Sequence, residues 1–213
     1  MQDINRLVPS TWSFALLAAA FEGGLAIFAV GLGWLLGYPP LATLRLTTEA
    51  CRQGFLAVLP PLILLAVCVW KPLGIFAEVM RAVDELVVPL LKDCRMVEVA
   101  IVSLLAGLGE EMLFRGVLQA SIADWIRPAL AAEQGPAQAA QIAAWLAAIA
   151  VAVLFGLMHY VNRGYALVAG LIGLYLGWLW IATGNLLAPI ITHAVYDFLA
   201  IEYLVKVRRI DTT

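Results

Sequence analysis

The stretch IVSLLAGLGEEMLFRGVLQASI, residues 101–122, decides how the chain is read. It is long enough to cross a bilayer, yet Glu110, Glu111 and Arg115 stand in its middle. A charged side chain at mid-bilayer costs about 2.5–3.5 kcal/mol on insertion scales, so three unpaired ones would cost roughly 8–10 kcal/mol. Something in the fold must offset that cost.

Working outward, the surroundings of this stretch are those of a membrane protein. Of the 213 residues 63% are hydrophobic and 13% charged, against roughly 25% charged in a soluble domain. The apolar residues come in runs near twenty long, at about 12–36, 54–70, 100–122, 140–159, 165–182 and 186–205. This predicts an all-α, polytopic transmembrane helix bundle of about six spans, a single domain over 1–213, with its chemistry in a core over 96–205. Pro60 and Pro61 should kink the second span, which neighbouring helices make tolerable. The segment AAEQGPAQ precedes the fourth span, and ATGN turns the fifth into the sixth. Residues 73–92 differ: Glu78, Arg81, Glu85 and Lys92 recur at helical spacing among Ile75, Phe76, Val79, Met80, Val83, Leu86 and Leu90. That pattern predicts an amphipathic helix lying in the interface.

The first apolar run, from Trp12 to Leu36 behind Gln2, Asp3 and Arg6, is far longer than a signal-peptide core and should remain as a span. Glu22 within it has no partner that the sequence names. Orientation follows Lys and Arg. With the N-terminus inside, Arg6, Lys71, Arg81, Lys92, Arg95, Arg163, Lys206, Arg208 and Arg209 are cytoplasmic, and Arg45, Arg52 and Arg127 face out. Both termini are therefore expected in the cytoplasm. Cys51, Cys68 and Cys94 are odd in number and scattered, which fits neither a disulfide framework nor a zinc cluster. A net charge of -2 gives no basic balance for nucleic acid.

The intramembrane charges divide by position. Glu111 and Arg115 are four apart with the acid first, the better order for a pair on one helix face. Glu110, rotated by about 100° from Glu111, has no such partner, and an unpaired intramembrane acid is a functional-site candidate. The chain has two histidines. His159 ends the fourth span in FGLMHY, four residues after Phe155, and His193 lies in the sixth in THAVYD, four before Asp197. Steps of four place each pair on one face, so Glu110, His159, His193 and Asp197 can converge among three helices. Each has a structural use when taken alone. For Glu110 and His159 to meet, the embedded part of the third span must begin near Ile101–Leu104 and run to Trp125, leaving residues 93–99 interfacial and the site open to the cytoplasm. An acid, two imidazoles and a further carboxylate suit activation of water, with Glu110 as general base, His159 positioning the water and His193 donating to an oxyanion.

EEMLFR, FGLMH and HAVYD also resemble, in order, the EExxxR, FxxxH and HxxxN/D motifs of the CAAX-protease and bacteriocin-processing family, the type II CAAX prenyl endopeptidases. The resemblance covers about residues 96–205. It implies an intramembrane endopeptidase in which Glu110 and His159 activate water, His193 and Asp197 form the oxyanion site, and Glu111, Arg115 and Phe155 stabilise it. It also implies a peptide or protein substrate, lipidated or not, a membrane-lipid environment, no nucleic acid, and a bacterial or archaeal cell membrane. Prenyl-processing members typically carry Asn where this chain has Asp197. An ionised Asp accepts hydrogen bonds only, so its expected use here is to orient His193. No cofactor is required by a glutamate mechanism. Alternatively, Glu110, His159 and His193 are three ligands of the type that zinc takes. Two other classes stay open: a non-catalytic immunity or binding protein, and a proton-coupled transporter, which also uses intramembrane acids and histidines.

Overall fold

The computed structural model describes residues 11–211. Gln2, Asp3 and Arg6 lie outside the described residues, as do the side chains of Arg208 and Arg209. Helix α1 (Thr11–Leu36) leads through a 3-10 turn, Pro40–Thr43, to α2 (Thr48–Leu56) and α3 (Leu59–Trp70). Then come α4 (Ile75–Ala82), a π-helical turn, Val83–Val87, and α5 (Val88–Leu91). Helix α6 (Met96–Glu111) widens into a π-helix, Met112–Gln119, and continues as α7 (Ala120–Gln134). Three long helices follow, α8 (Pro136–Met158), α9 (Arg163–Thr183) and α10 (Leu187–Asp211). No strand occurs among the described residues.

The chain is thus an all-α bundle, and five of the expected spans are long and apolar enough to cross a membrane: α1, α2 with α3, α8, α9 and α10. The third expected span, α6 through α7, falls short of that measure among the described residues. Its polar groups are turned inward instead: Ser103, Glu110, Glu111, Arg115 and Gln119 are all buried. Over 106–119 the helix is largely covered by protein, and α6 packs between α1 and α10.

Local chemistry explains most boundaries. The second span is interrupted at Ala57–Val58, directly before Pro60 and Pro61, which occupy the first turn of α3. A first turn has no intrahelical use for the N–H that proline lacks. Gly184 closes α9 with a left-handed φ of 57°, the conformation that lets ATGN reverse the chain. Helix α6 begins at Met96, where the Glu98 carboxylate accepts from the Arg95 backbone N–H at 2.8 Å. The interfacial charges expected over 93–99 therefore cap the helix.

The segment over 73–92 is helical and amphipathic, split into α4, the π-helical turn and α5, with Ile75 of the expected covered face exposed. Val79, Met80, Val83 and Leu91 are buried while Arg81, Asp84, Glu85 and Lys92 are exposed; Leu86, expected on the covered face, is exposed too. Met80 and Val83 join Leu65, Cys68, Ala200 and Leu204 in one apolar cluster. A second cluster unites Ala29, Met112, Leu113, Phe114, Val151, Phe155, Leu186 and Ile190. Helices come together at small residues, as membrane interfaces favour. A Cβ on Gly107 of α6 would lie 2.8 Å from the Ala194 nitrogen and 2.9 Å from the Ile190 carbonyl of α10. This contact sets α10 one turn from the Glu110–Glu111 pair.

Candidate active site

Glu111 and Arg115 are both fully buried and form the expected pair, with Arg115 Nη1 donating to Glu111 Oε1 at 2.8 Å. Two further contacts hold them. Arg115 Nη2 donates to the Gly173 carbonyl of α9 at 2.6 Å, and its guanidinium carbon lies 4.9 Å from the centre of the Phe155 ring, within cation–π range. His193 Nδ1 lies 2.8 Å from Glu111 Oε1; a carboxylate only accepts, so this nitrogen carries a proton. Glu111 thereby fixes α10 to α6 through an imidazole, and Arg115 fixes α9 through a backbone carbonyl.

Glu110 is bound quite differently. Its Oε1 stands 3.7 Å from His159 Nε2 and its Oε2 stands 3.9 Å from His193 Nε2, both beyond hydrogen-bond length. Oε2 is buried without a hydrogen-bond partner. A gap of this size between polar groups is the size that one water bridges.

His159 follows the last turn of α8. Its Nδ1 donates to the Phe155 carbonyl at 2.8 Å, and its ring stacks on Phe155 with centroids 4.3 Å apart and 26° between planes. The backbone acceptor fixes the tautomer, so Nε2 presents a lone pair toward Glu110. Phe155 itself is buried between His159, His193, Phe114 and the Arg115 guanidinium. It sets the orientation of both rings. Asp197, half-buried on α10, places Oδ2 at 3.4 Å from His193 Nε2.

Every residue singled out in the sequence thus lies in one constellation: Glu110, Glu111, Arg115, Phe155, His159, His193 and Asp197. Three more are near. Glu22 of α1 interacts electrostatically with His193, Asp197 and Glu110, and its Oε2 is buried without a hydrogen bond. Tyr165 and Tyr196 line the cavity onto which Glu110, His159, His193 and Asp197 open. Tyr196, three residues after His193, carried a spacing signal. Tyr165 carried none, and Glu22 required the packing of α1 against Gly109, where a Cβ would lie 2.6 Å from the Glu22 carbonyl. Tyr160 is exposed, and Asn162 caps α9.

The cavity measures about 290 Å³. Its polar end is the constellation above; the rest of its lining is largely aliphatic, including Leu65, Val79, Val83, Val87, Leu91, Val168, Ile172 and Leu204. The amphipathic segment thus supplies one wall. In this side-chain arrangement no three His, Cys, Asp or Glu groups among the described residues can hold a metal ion. Zinc held by Glu110, His159 and His193 would need those side chains to move.

No curated protein and no solved structure matches the chain significantly. A family model described as type II CAAX prenyl endopeptidase Rce1-like matches residues 93–199. That segment spans half the chain and contains EEMLFR, FGLMH and HAVYD, the residues that meet at the cavity. The chain accordingly belongs to the type II CAAX prenyl endopeptidase Rce1-like family and is an integral membrane protein.

Proposed function

We propose that this chain hydrolyses peptide bonds with a water held between Glu110 and His159, without a metal. The observation that carries the reading is the pair of gaps at Glu110, 3.7 Å and 3.9 Å to the two Nε2 atoms, beside a Glu111 engaged by Arg115 and His193. A water in the first gap donates one proton toward the Glu110 carboxylate and the other toward His159 Nε2. Its oxygen lone pair is then free to attack. Glu110 takes the proton as the water oxygen bonds to the scissile carbonyl carbon. The carbonyl oxygen becomes an oxyanion facing His193, which, protonated at both nitrogens, donates from Nδ1 to Glu111 and from Nε2 to the oxyanion. Glu110 then returns its proton to the leaving amine as the C–N bond breaks. Asp197, with Oδ2 3.4 Å from the same Nε2, favours the doubly protonated ring and holds that edge in place until the oxyanion forms.

The substrate that suits an aliphatic cavity with one polar end is an apolar or lipidated peptide terminus, such as a prenylated C-a-a-X tail or a bacteriocin-type segment. With the Lys and Arg bias read as above, both termini lie in the cytoplasm and the site opens toward it.

The test is cleavage by purified protein in liposomes of farnesylated and unprenylated C-a-a-X peptides and a general peptide library. Wild type, Glu110→Gln and His193→Ala are compared with and without chelator. Loss of cleavage in both variants and indifference to chelator is the expected result. Chelator inhibition reversed by zinc would replace the metal-free mechanism. A biological effect that survives Glu110→Gln would identify a binding or immunity protein.

A further inference from the structure

An oxyanion is stabilised by donors already in place before it forms, and the constellation supplies few. Six polar side chains line the cavity: Glu110, His159, Tyr165, His193, Tyr196 and Asp197. Glu110 takes the water's proton and delivers it to the leaving amine, and a carboxylate at Asp197 only accepts. His159 commits its Nδ1–H to the Phe155 carbonyl, and its Nε2 accepts. Arg115 is sealed behind Glu111 with no exposed surface. His193 therefore offers one donor, Nε2–H, and any further side-chain donor must be a tyrosine hydroxyl.

The two tyrosines are not equivalent. The Tyr165 hydroxyl lies in electrostatic reach of both Asp197 and Glu110; that of Tyr196 interacts with Asp197, Tyr165 and Cys68. Tyr165 also sits on a turn tied to α4 and to its own cap by three hydrogen bonds. Asn162 Oδ1 accepts from the Tyr165 backbone N–H at 2.9 Å. Glu78 Oε2 accepts from the Gly164 N–H at 2.7 Å, and Asn162 Nδ2 donates to the Glu78 carbonyl at 2.8 Å. A Cβ at Gly164 would lie 2.6 Å from the Ile75 carbonyl, so α4 and the first turn of α9 meet backbone to backbone. A donor with both ends of its turn pinned is pre-organised, which is what makes such a group effective.

We infer that the Tyr165 hydroxyl is the second oxyanion donor, reaching the tetrahedral intermediate from α9 while His193 Nε2–H reaches it from α10. The inference rests on the hydrolytic reading of Glu110. Tyr165 keeps its proton throughout; it donates a hydrogen bond, and no atom is transferred. Glu78 and Asn162 act through it as positioning residues.

The test measures kcat and KM on farnesylated and unprenylated C-a-a-X peptides for wild type, Glu110→Gln, Tyr165→Phe, Tyr196→Phe, Asp197→Asn and Tyr165→Phe/Asp197→Asn, with thermal midpoints in the same detergent. Tyr165→Phe should lower kcat by about 10²-fold, the loss found for one oxyanion donor, with KM and the midpoint unchanged. Tyr196→Phe should have a much smaller effect on kcat. An Asn at 197 brings an N–H₂ donor to the same place, so Tyr165→Phe should cost less in that background, a coupling that a purely structural tyrosine would not show. Wild-type kcat in Tyr165→Phe, a rise in KM alone, or an equal loss in both backgrounds overturns the inference while leaving the role of Glu110 intact. Cleavage that persists in Glu110→Gln, or a wild type that cleaves neither peptide, overturns the hydrolytic reading and the inference with it.

Discussion

Glu110 and Glu111 are consecutive residues of one helix, yet their surroundings are opposite. Glu111 meets a guanidinium and an imidazole at 2.8 Å each, with no exposed surface. Glu110 faces two imidazole nitrogens across 3.7 Å and 3.9 Å at the end of a cavity. One turn-fraction of helix separates a carboxylate used as architecture from one left for chemistry. A membrane protein can thus keep one acid reactive by placing it beside a second whose charge is already matched by Arg115 and whose position is fixed by His193.

The comparison is broken most sharply at Glu110 itself. Glu110→Gln keeps shape and removes the base, so kcat should fall by about 10²–10⁴-fold, while the thermal midpoint in detergent stays in place. Arg115→Leu should do the reverse of that pattern. It leaves Glu111 buried without its cation, which costs about 3–5 kcal/mol and should show as a large drop in the unfolding midpoint. The double variant Glu111→Leu/Arg115→Leu sharpens the contrast: it should recover much of the stability, since an apolar pair replaces an ion pair. It should recover no activity, because His193 loses the acceptor that orients it.

Smaller effects test the frame around the two acids. Gly107→Ala forces a methyl against the α10 backbone, at 2.8–2.9 Å from Ala194 N and Ile190 O. Overpacking of this kind costs about 1–3 kcal/mol, and because α10 carries His193, kcat should fall together with the midpoint. Asn162→Ala removes a helix cap, a loss of about 1 kcal/mol, seen as a modest midpoint shift.

What the sequence disclosed follows from the range of each interaction. The Glu111–Arg115 pair and the Phe155–His159 and His193–Asp197 steps repeat every four residues within a helix, so spacing reveals them. The apolar runs reveal the membrane helices by the same local rule. The segment over 73–92 was legible as an amphipathic helix, but not as a wall of the cavity, because that depends on where Leu65 and Leu204 fall. The π-helix over Met112–Gln119 has no sequence signal, and it shifts Arg115 and Gln119 to face the carbonyls of Gly173 and Gly177 on α9. Tyr165 and Glu22 reach the site only through backbone approach at Gly164 and Gly109. Such approach is a property of two helices at once, and neither helix states it alone. Pro60 and Pro61 signal an interruption of the second span, but not its form. Proline fixes where an N–H is missing, but not whether the chain bends through that point or restarts there.

The Glu111–Arg115 pair also bears on how the chain is built. Its partners outside the helix come late in synthesis: Gly173 is 58 residues downstream of Arg115, and His193 is 82 downstream of Glu111. The pair itself closes within four residues, as soon as that turn coils. The nascent helix over 96–119 can therefore leave the translocation machinery with Glu111 and Arg115 already matched, before α9 and α10 have been translated. Glu110 alone then waits for the helices that will give it a purpose.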